Sequence, residues 1–329
     1  SSEEIELVRQ WIAQGAEWQQ HWAWIAPLRP QLPELKETAW PNNEIDHFVL
    51  ARLEKEGRTH AAAADKLTLI RRVTFDLNGL PPSTAEIDGF LADTSPNAYE
   101  NVVDRLLKSP RFGEHMGRYW LDAARYGDTH GLHLDNFREM WLYRDWVINA
   151  FNDNKPFDQF TIEQLAGDLL PNATIDQQVA TGFNRCNVTT SEGGAIDEEY
   201  QAHYTVDRVS TLSTVWLGVS LGCVVCHDHK FDPYLQKDFY QLFAFFNNLD
   251  GPVMDGNSKD PAPILKVANA AQQAEMAELK RLIASLSEST TAPDLELDAA
   301  QAAWETKLRS GTISEPRWNV LSPEIFTSS

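Results

Sequence analysis

The residues of this chain best suited to chemistry are two cysteines three positions apart with a histidine directly after them. They lie in Leu221-Gly222-Cys223-Val224-Val225-Cys226-His227-Asp228-His229-Lys230-Phe231-Asp232-Pro233. C-x-x-C-H is the spacing by which a porphyrin is attached covalently. Each thiol can form a thioether to one vinyl group of the ring, and the histidine beside the second thiol then lies under the iron as its proximal ligand. Cys223 and Cys226 are the expected attachment points and His227 the expected ligand of one haem c. With 3 Cys and 9 His in 329 residues, the motif stands out from the composition.

Two other readings use the same residues. Cys223, Cys226, His227 and His229 could form a compact zinc cluster. Structural zinc sites, however, usually draw a second ligand pair from a distant segment, and the chain has no second C-x-x-C and no H-x-x-x-H. Cys223 and Cys226 could instead be a thioredoxin-like dithiol. That expects a strand and a βαβ context before the motif, where a helical pattern stands.

Around the haem reading other side chains take expected roles. Asp228, His229 and Asp232 lie too close to His227 to reach the opposite haem face and are expected to support it by hydrogen bonds. His130, His133, Met116 and Met140 are the candidates for a distal ligand or distal pocket, with an open sixth position as the alternative. Arg125, Arg185 and Arg208 can pair with propionates, since guanidinium grips a carboxylate bidentately. Glu192 and Glu199 are candidate acid/base groups, and with Asp197 and Glu198 a possible calcium site. Asp128, His130, His133 and Asp135 form a second conceivable metal set. Cys186 reads as a buried free thiol.

These groups must be positioned by helices. Apolar residues at helical spacing predict helices over 1–18, 44–56, 66–78, 83–91, 97–108, 111–126, 137–151, 158–170, 175–183, 197–221 and 237–248. Ser1 with Glu4 and Ser83 with Glu86 have capping-box spacing. The 197–221 helix is expected to deliver the motif at its end. Residues 19–41 form a Pro-punctuated linker with aromatic anchors, and 127–136 and 184–196 are polar breaks. After Gly251, helices over 268–288 and 296–309 are expected to form an antiparallel helical hairpin. The tail 311–329 has strand-like fragments and is expected to begin a further domain. The expected domains are 1–40, 41–255, 256–310 and 311–329.

Composition narrows the class of function. Hydrophobic residues at 43% allow a sizeable core, and 28 basic against 48 acidic residues leave a net charge of −20. Such a surface repels nucleic acid and anionic membranes, and no apolar run is long enough for a transmembrane segment. The chain starts at Ser1 without a signal-peptide pattern and reads as a mature product or a fragment.

Several strings resemble a large family of planctomycete domains of unknown function. They are Arg71-Arg72-Val73-Thr74-Phe75-Asp76-Leu77-Asn78-Gly79-Leu80-Pro81-Pro82, Tyr119-Trp120-Leu121-Asp122-Ala123-Ala124-Arg125-Tyr126, Tyr143-Arg144-Asp145-Trp146-Val147-Ile148 and Glu163-Gln164-Leu165-Ala166-Gly167-Asp168-Leu169-Leu170-Pro171. Glu192-Gly193-Gly194, Val206-Asp207-Arg208-Val209 and the C-x-x-C-H-D-H-K-F-D-P run complete the set. The resemblance covers about residues 40–250. It implies that a planctomycete cytochrome c domain precedes this one, its last helix corresponding to residues 1–18, and that another domain follows. Similar proteins tend to be encoded near polysaccharide-degrading enzymes; the resemblance names no reaction.

The sequence therefore predicts a mainly α protein, a multi-helix c-type haem domain with a C-terminal helical hairpin. The expected function is a periplasmic or otherwise extracytoplasmic haem oxidoreductase acting on a small molecule such as a carbohydrate. The alternative is a non-enzymatic electron-transfer or scaffold module. A redox partner protein and the neighbouring cytochrome c domain are the expected partners.

Overall fold

Short-range capping sets the helix starts of the first of two units, Ser1–Arg105. The computed structural model describes residues 1–18, 21–291 and 294–312. Helix α1 (Ser2–Ala13) opens on the expected capping box: Ser1 Oγ accepts the Glu4 N–H at 3.2 Å, and the Glu4 carboxylate returns to the Ser1 amine. Its apolar face, Ile5, Val8, Trp11 and Ile12, is exposed. The packing partner expected for so short a helix is not found among the described residues. The linker holds a 3₁₀ turn at Trp22–Trp24, and Trp40 stacks on His60 at 4.7 Å.

Asn43 and Asp46 cap α2 (Glu44–Lys55) reciprocally, and Asp65 accepts the Thr68 N–H at 2.7 Å to start α3 (Lys66–Asn78). Gly79 ends α3 in the left-handed region at φ 70°, where a Cβ is disfavoured. The Ser83–Glu86 capping box opens α4 (Thr84–Ala92), which packs on α3. Helix α5 spans Ala98–Leu107. Leu50, Ile70, Val73 and Phe90 are buried. The break between units falls inside the 41–255 domain expected from the sequence.

The second unit, Leu106–Ser329, is built on the pair α6 (Pro110–Ala123) and α7 (Trp141–Asn152). Gly113 and Gly117, four residues apart on α6, let the two backbones approach. A Cβ on Gly113 would meet the Ile148 carbonyl and stand 2.6 Å from Asn152 Cγ. Helices α8 (Phe157–Ala166) and α9 (Ile175–Ala180) complete a core of Tyr143, Trp146, Val147, Phe160, Phe183 and Cys186. Gln164 sits inside it, fully buried, accepting the Trp120 Nε1–H at 2.8 Å and the Tyr143 hydroxyl at 2.7 Å.

Helix α10 (Asp197–Leu212) stops nine residues short of its expected end. The Ser213 hydroxyl bonds back to the Val209 carbonyl and Thr214 to Ser210, a π-helical turn follows at Ser213–Leu217, and Gly218 reverses the chain at φ 64°. Hydroxyls that bond to carbonyls four residues back weaken and bend a helix. The cysteine motif therefore sits on its own 3₁₀ turn, Gly222–Val225, and not at the end of a long helix. A second core of Val209, Leu221, Val224, Phe239 and Phe246 fastens that turn between α10 and α11 (Gln236–Phe246).

Among the described residues there is no strand; isolated bridges pair Thr129 with Phe137 and Gly131 with Thr189. Helices α12 (Ala270–Thr291) and α13 (Leu295–Arg309) lie where two helices were expected. Leu279, Ile283, Leu286, Leu297 and Trp304 remain exposed, so no buried seam joins them among the described residues. The expected further domain falls almost wholly on residues 313–329, outside the described residues.

Candidate functional site

The 3₁₀ turn Gly222–Val225, with Cys226 as its C-cap, holds the two cysteines. Residues i and i+3 eclipse one another along a 3₁₀ helix, and the Cys226 N–H closes the turn onto the Cys223 carbonyl at 3.3 Å. Both thiols are free and exposed. Beneath them Val224 is fully buried against the α10–α11 core. From α11, Gln236 Nε2 and the Tyr240 hydroxyl each donate to the Val225 carbonyl at 3.0 Å. The turn is thus anchored from below and open above.

The two histidines of the motif differ in what they can offer. His227 Nδ1 lies 2.7 Å from the Asp228 carbonyl. A carbonyl only accepts, so Nδ1 carries the proton and the neutral ring keeps its lone pair on Nε2 for a metal. His229 is the reverse: its Nδ1 accepts the N–H groups of Phe231 and Asp232, at 3.3 and 2.9 Å, which places the proton of the neutral ring on Nε2. Asp228 accepts the Gln236 N–H at 2.8 Å near the start of α11, and Asp232 lies 3.4 Å from His229. Asp228, His229 and Asp232 therefore shape the loop around His227. Exposed Leu217, Phe231 and Leu235 flank the motif in sequence, which suits an apolar ring. These residues fit a covalently held haem.

The candidates for the distal side fall elsewhere. His130 is buried, with Nδ1 2.8 Å from Thr189 Oγ1 and Nε2 2.8 Å from the Ser258 carbonyl. The Thr189 hydroxyl donates to Asp255 at 2.9 Å, so both ring nitrogens of His130 are engaged by this network. His133 is exposed in a turn at φ 55°. Met140 precedes α7 and packs on the first core. Met116 is half-buried on α6. None of these four belongs to the cluster beneath the cysteine turn.

The acidic groups do not gather. Glu192 is exposed, and Glu199 pairs with exposed His203 at 3.6 Å. Among the described residues no three His, Cys, Asp or Glu side chains converge as ligands. That applies to the zinc set, the calcium set and the Asp128–His130–His133–Asp135 set alike. Of the arginines, Arg125 pairs with Asp207 at 2.7 Å. Arg185 and Arg208 meet at a different place, a cleft they share with Arg138.

A model of the PSCyt2 family, proteins of unknown function also designated DUF1549, matches residues 44–251. The chain belongs to that family. The matched span takes in the cysteine turn, α10 and all four arginines. No curated protein and no solved structure matches the chain. Among the described residues no helix is long and apolar enough to cross a membrane.

Sequence reasoning missed Arg138, Asp255, Thr189 and Tyr204. Arg138 stands in an aromatic stretch that reads as helix, and Asp255 in a Gly-rich turn. The one available signal was the polarity of Asn184-Arg185-Cys186-Asn187, in which Asn184 and Asn187 are buried.

Proposed function

We propose that this chain holds one haem c through Cys223 and Cys226, with His227 as axial ligand, and works outside the cytoplasm as an oxidoreductase exchanging electrons with a cytochrome c domain. The supporting observation is the anchored 3₁₀ turn, which presents two free thiols beside a histidine whose Nδ1–H is held by the Asp228 carbonyl. When bound, the haem would supply one-electron transfer and, with an accessible sixth position, redox chemistry on a small molecule such as a carbohydrate. The residues of the chain orient it. Val224 and the α10–α11 core hold the turn still, and the Asp228 carbonyl fixes the His227 tautomer and strengthens its Nε2 as a donor. The net charge of −20 suits docking of a basic redox partner.

A second reading, an electron-transfer module without its own substrate, draws on the exposure of both thiols and of Phe231. That exposure would leave a haem held by these thiols within reach of a partner protein.

The test is an optical spectrum of the chain matured in a haem c-competent periplasm, oxidised, reduced, in alkaline pyridine and with carbon monoxide. The expected result is one covalent haem, lost in Cys223→Ala/Cys226→Ala. A prompt Soret shift with carbon monoxide supports the oxidoreductase, and no shift supports the electron-transfer module. Absence of covalent haem refutes both.

A further inference from the structure

Three arginines converge on one cleft of the second unit in a chain that is strongly acidic. Arg138, Arg185 and Arg208 line it with Tyr204 and Gln201 of α10 and the 249–255 segment. Its free volume is about 50 Å³, room for about three waters or one small oxyanion. On α10, positions 201, 204 and 208 face the cleft, while Val206, Val209 and Leu212 pack toward the cysteine turn.

Buried charges are ordinarily paired, and among the described residues none of these three arginines has a carboxylate within ion-pair distance. Arg138 is 6% exposed; among the described residues its one hydrogen bond runs from Nη1 to the Asn187 carbonyl at 3.4 Å, and its buried Nε has no partner. Among the described residues Arg185 has a single long bond, 3.4 Å to the Pro261 carbonyl. Arg208 donates to the Asn184 carbonyl and to Asn187 Oδ1, both uncharged. Of the nearby carboxylates, Asp207 pairs with Arg125, exposed Asp250 lines the cleft, and buried Asp255, which also lines it and favours the charge of Arg138, accepts from Thr189 and faces His130. The Tyr204 hydroxyl accepts the Thr190 N–H at 3.0 Å, which leaves its own proton to donate.

Burial depresses the basicity of all three guanidinium groups. Arg138 adds to the effect at Arg185, and Arg185 and Arg125 add to it at Arg208, which falls to about 10. A lining dominated by cationic donors suits neither a cation nor an uncharged sugar ring.

We propose that this cleft is a binding site for a small oxyanion, a sulfate, phosphate or carboxylate group, gripped by Arg138, Arg185 and Arg208. Guanidinium forks match the paired oxygens of such groups. The inference stands without the haem. The oxyanion belongs either to a separate molecule or to a haem propionate, and the chemistry is the same in both cases.

The test is isothermal titration of the full chain with sulfate, phosphate and acetate at fixed ionic strength, beside thermal unfolding. The expected result is saturable one-to-one binding of at least one anion, with a rise in midpoint of roughly 5 °C at about a hundred times Kd. Arg185→Met weakens binding about tenfold or more, while its midpoint without anion stays level or rises, because one long bond is lost and a repulsion is relieved. Arg185→Lys, which keeps the charge but loses the fork, binds with intermediate affinity. Equal binding by haem-free and haem-loaded chain assigns the site to a separate molecule; binding lost on haem loading assigns it to a propionate. The proposal is overturned if none of the three anions binds saturably, or if a folded Arg185→Met binds as the parent does.

Discussion

Replacing Gln164 by leucine tests the packing that holds the second unit together. Gln164 is fully buried and its Oε1 accepts two donors, the Trp120 indole N–H at 2.8 Å and the Tyr143 hydroxyl at 2.7 Å. Leucine fills similar space but accepts nothing. Burial holds the ionisation of Tyr143 far above its ordinary range, so the hydroxyl keeps its proton and needs an acceptor. Each orphaned donor costs about 1–3 kcal/mol, which for two predicts a loss of about 2–6 kcal/mol. Tyr143→Phe alone removes one donor and leaves Gln164 with Trp120, at about 1 kcal/mol. In the double variant no hydroxyl is left to orphan, so the two losses do not add and a coupling of about 1–3 kcal/mol is expected. Urea unfolding followed by tryptophan fluorescence and near-ultraviolet dichroism reads all three. A Gln164→Leu protein within about 0.5 kcal/mol of the parent, or strictly additive losses, would refute the reasoning. The loss should also reach the arginine cleft, because Asn184 Nδ2 donates to the Gln164 and Leu165 carbonyls and the Asn184 carbonyl accepts from Arg208.

Two further outcomes are expected. In haem-free native chain, iodoacetamide should modify exposed Cys223 and Cys226 readily and Cys186 only on unfolding, since burial pushes the Cys186 thiol up to about 12; peptide mass spectrometry showing equal native reactivity would contradict this. Acid should loosen the 255–258 turn. Burial alone would raise the Asp255 carboxyl, but the Asn257 N–H, the Thr189 and Ser191 hydroxyls and His130 outweigh it and hold it below its ordinary value. A depressed folded value means the contribution is intact above about pH 4 and is lost as pH falls through the folded value. Amide exchange at Asn257 should rise over that window, and an unchanged acid profile in Asp255→Asn would count against the assignment.

The helix starts of the first unit were legible because their causes are local. Ser1 with Glu4 and Ser83 with Glu86 act within four residues, and a capping oxygen needs no distant partner to find its N–H. The mainly α class, the free buried Cys186 and the family resemblance were legible for the same reason. The end of α10 was not. Its apolar spacing continues past Leu212, while the hydroxyls of Ser213 and Thr214 turn back on the helix. The apolar stripes of α1, α12 and α13 read as buried faces and are exposed among the described residues, since periodicity reports a face and not what covers it.

The sequence by itself determined the candidate chemistry at Cys223, Cys226 and His227, because two thiols and an imidazole within five residues need no fold to bring them together. Tertiary structure alone decided what surrounds that chemistry. It placed the motif on an anchored 3₁₀ turn and gave the lone pair on Nε2 to His227 and not to His229. It also closed both nitrogens of His130 inside a network with Thr189, Ser258 and Asp255. Arg138, Arg185 and Arg208 are separated by 47 and 23 residues in the chain, and their shared cleft exists only once α10 and three loops have packed. Charge acts through space, so a cationic site assembled from distant segments leaves no local pattern to read.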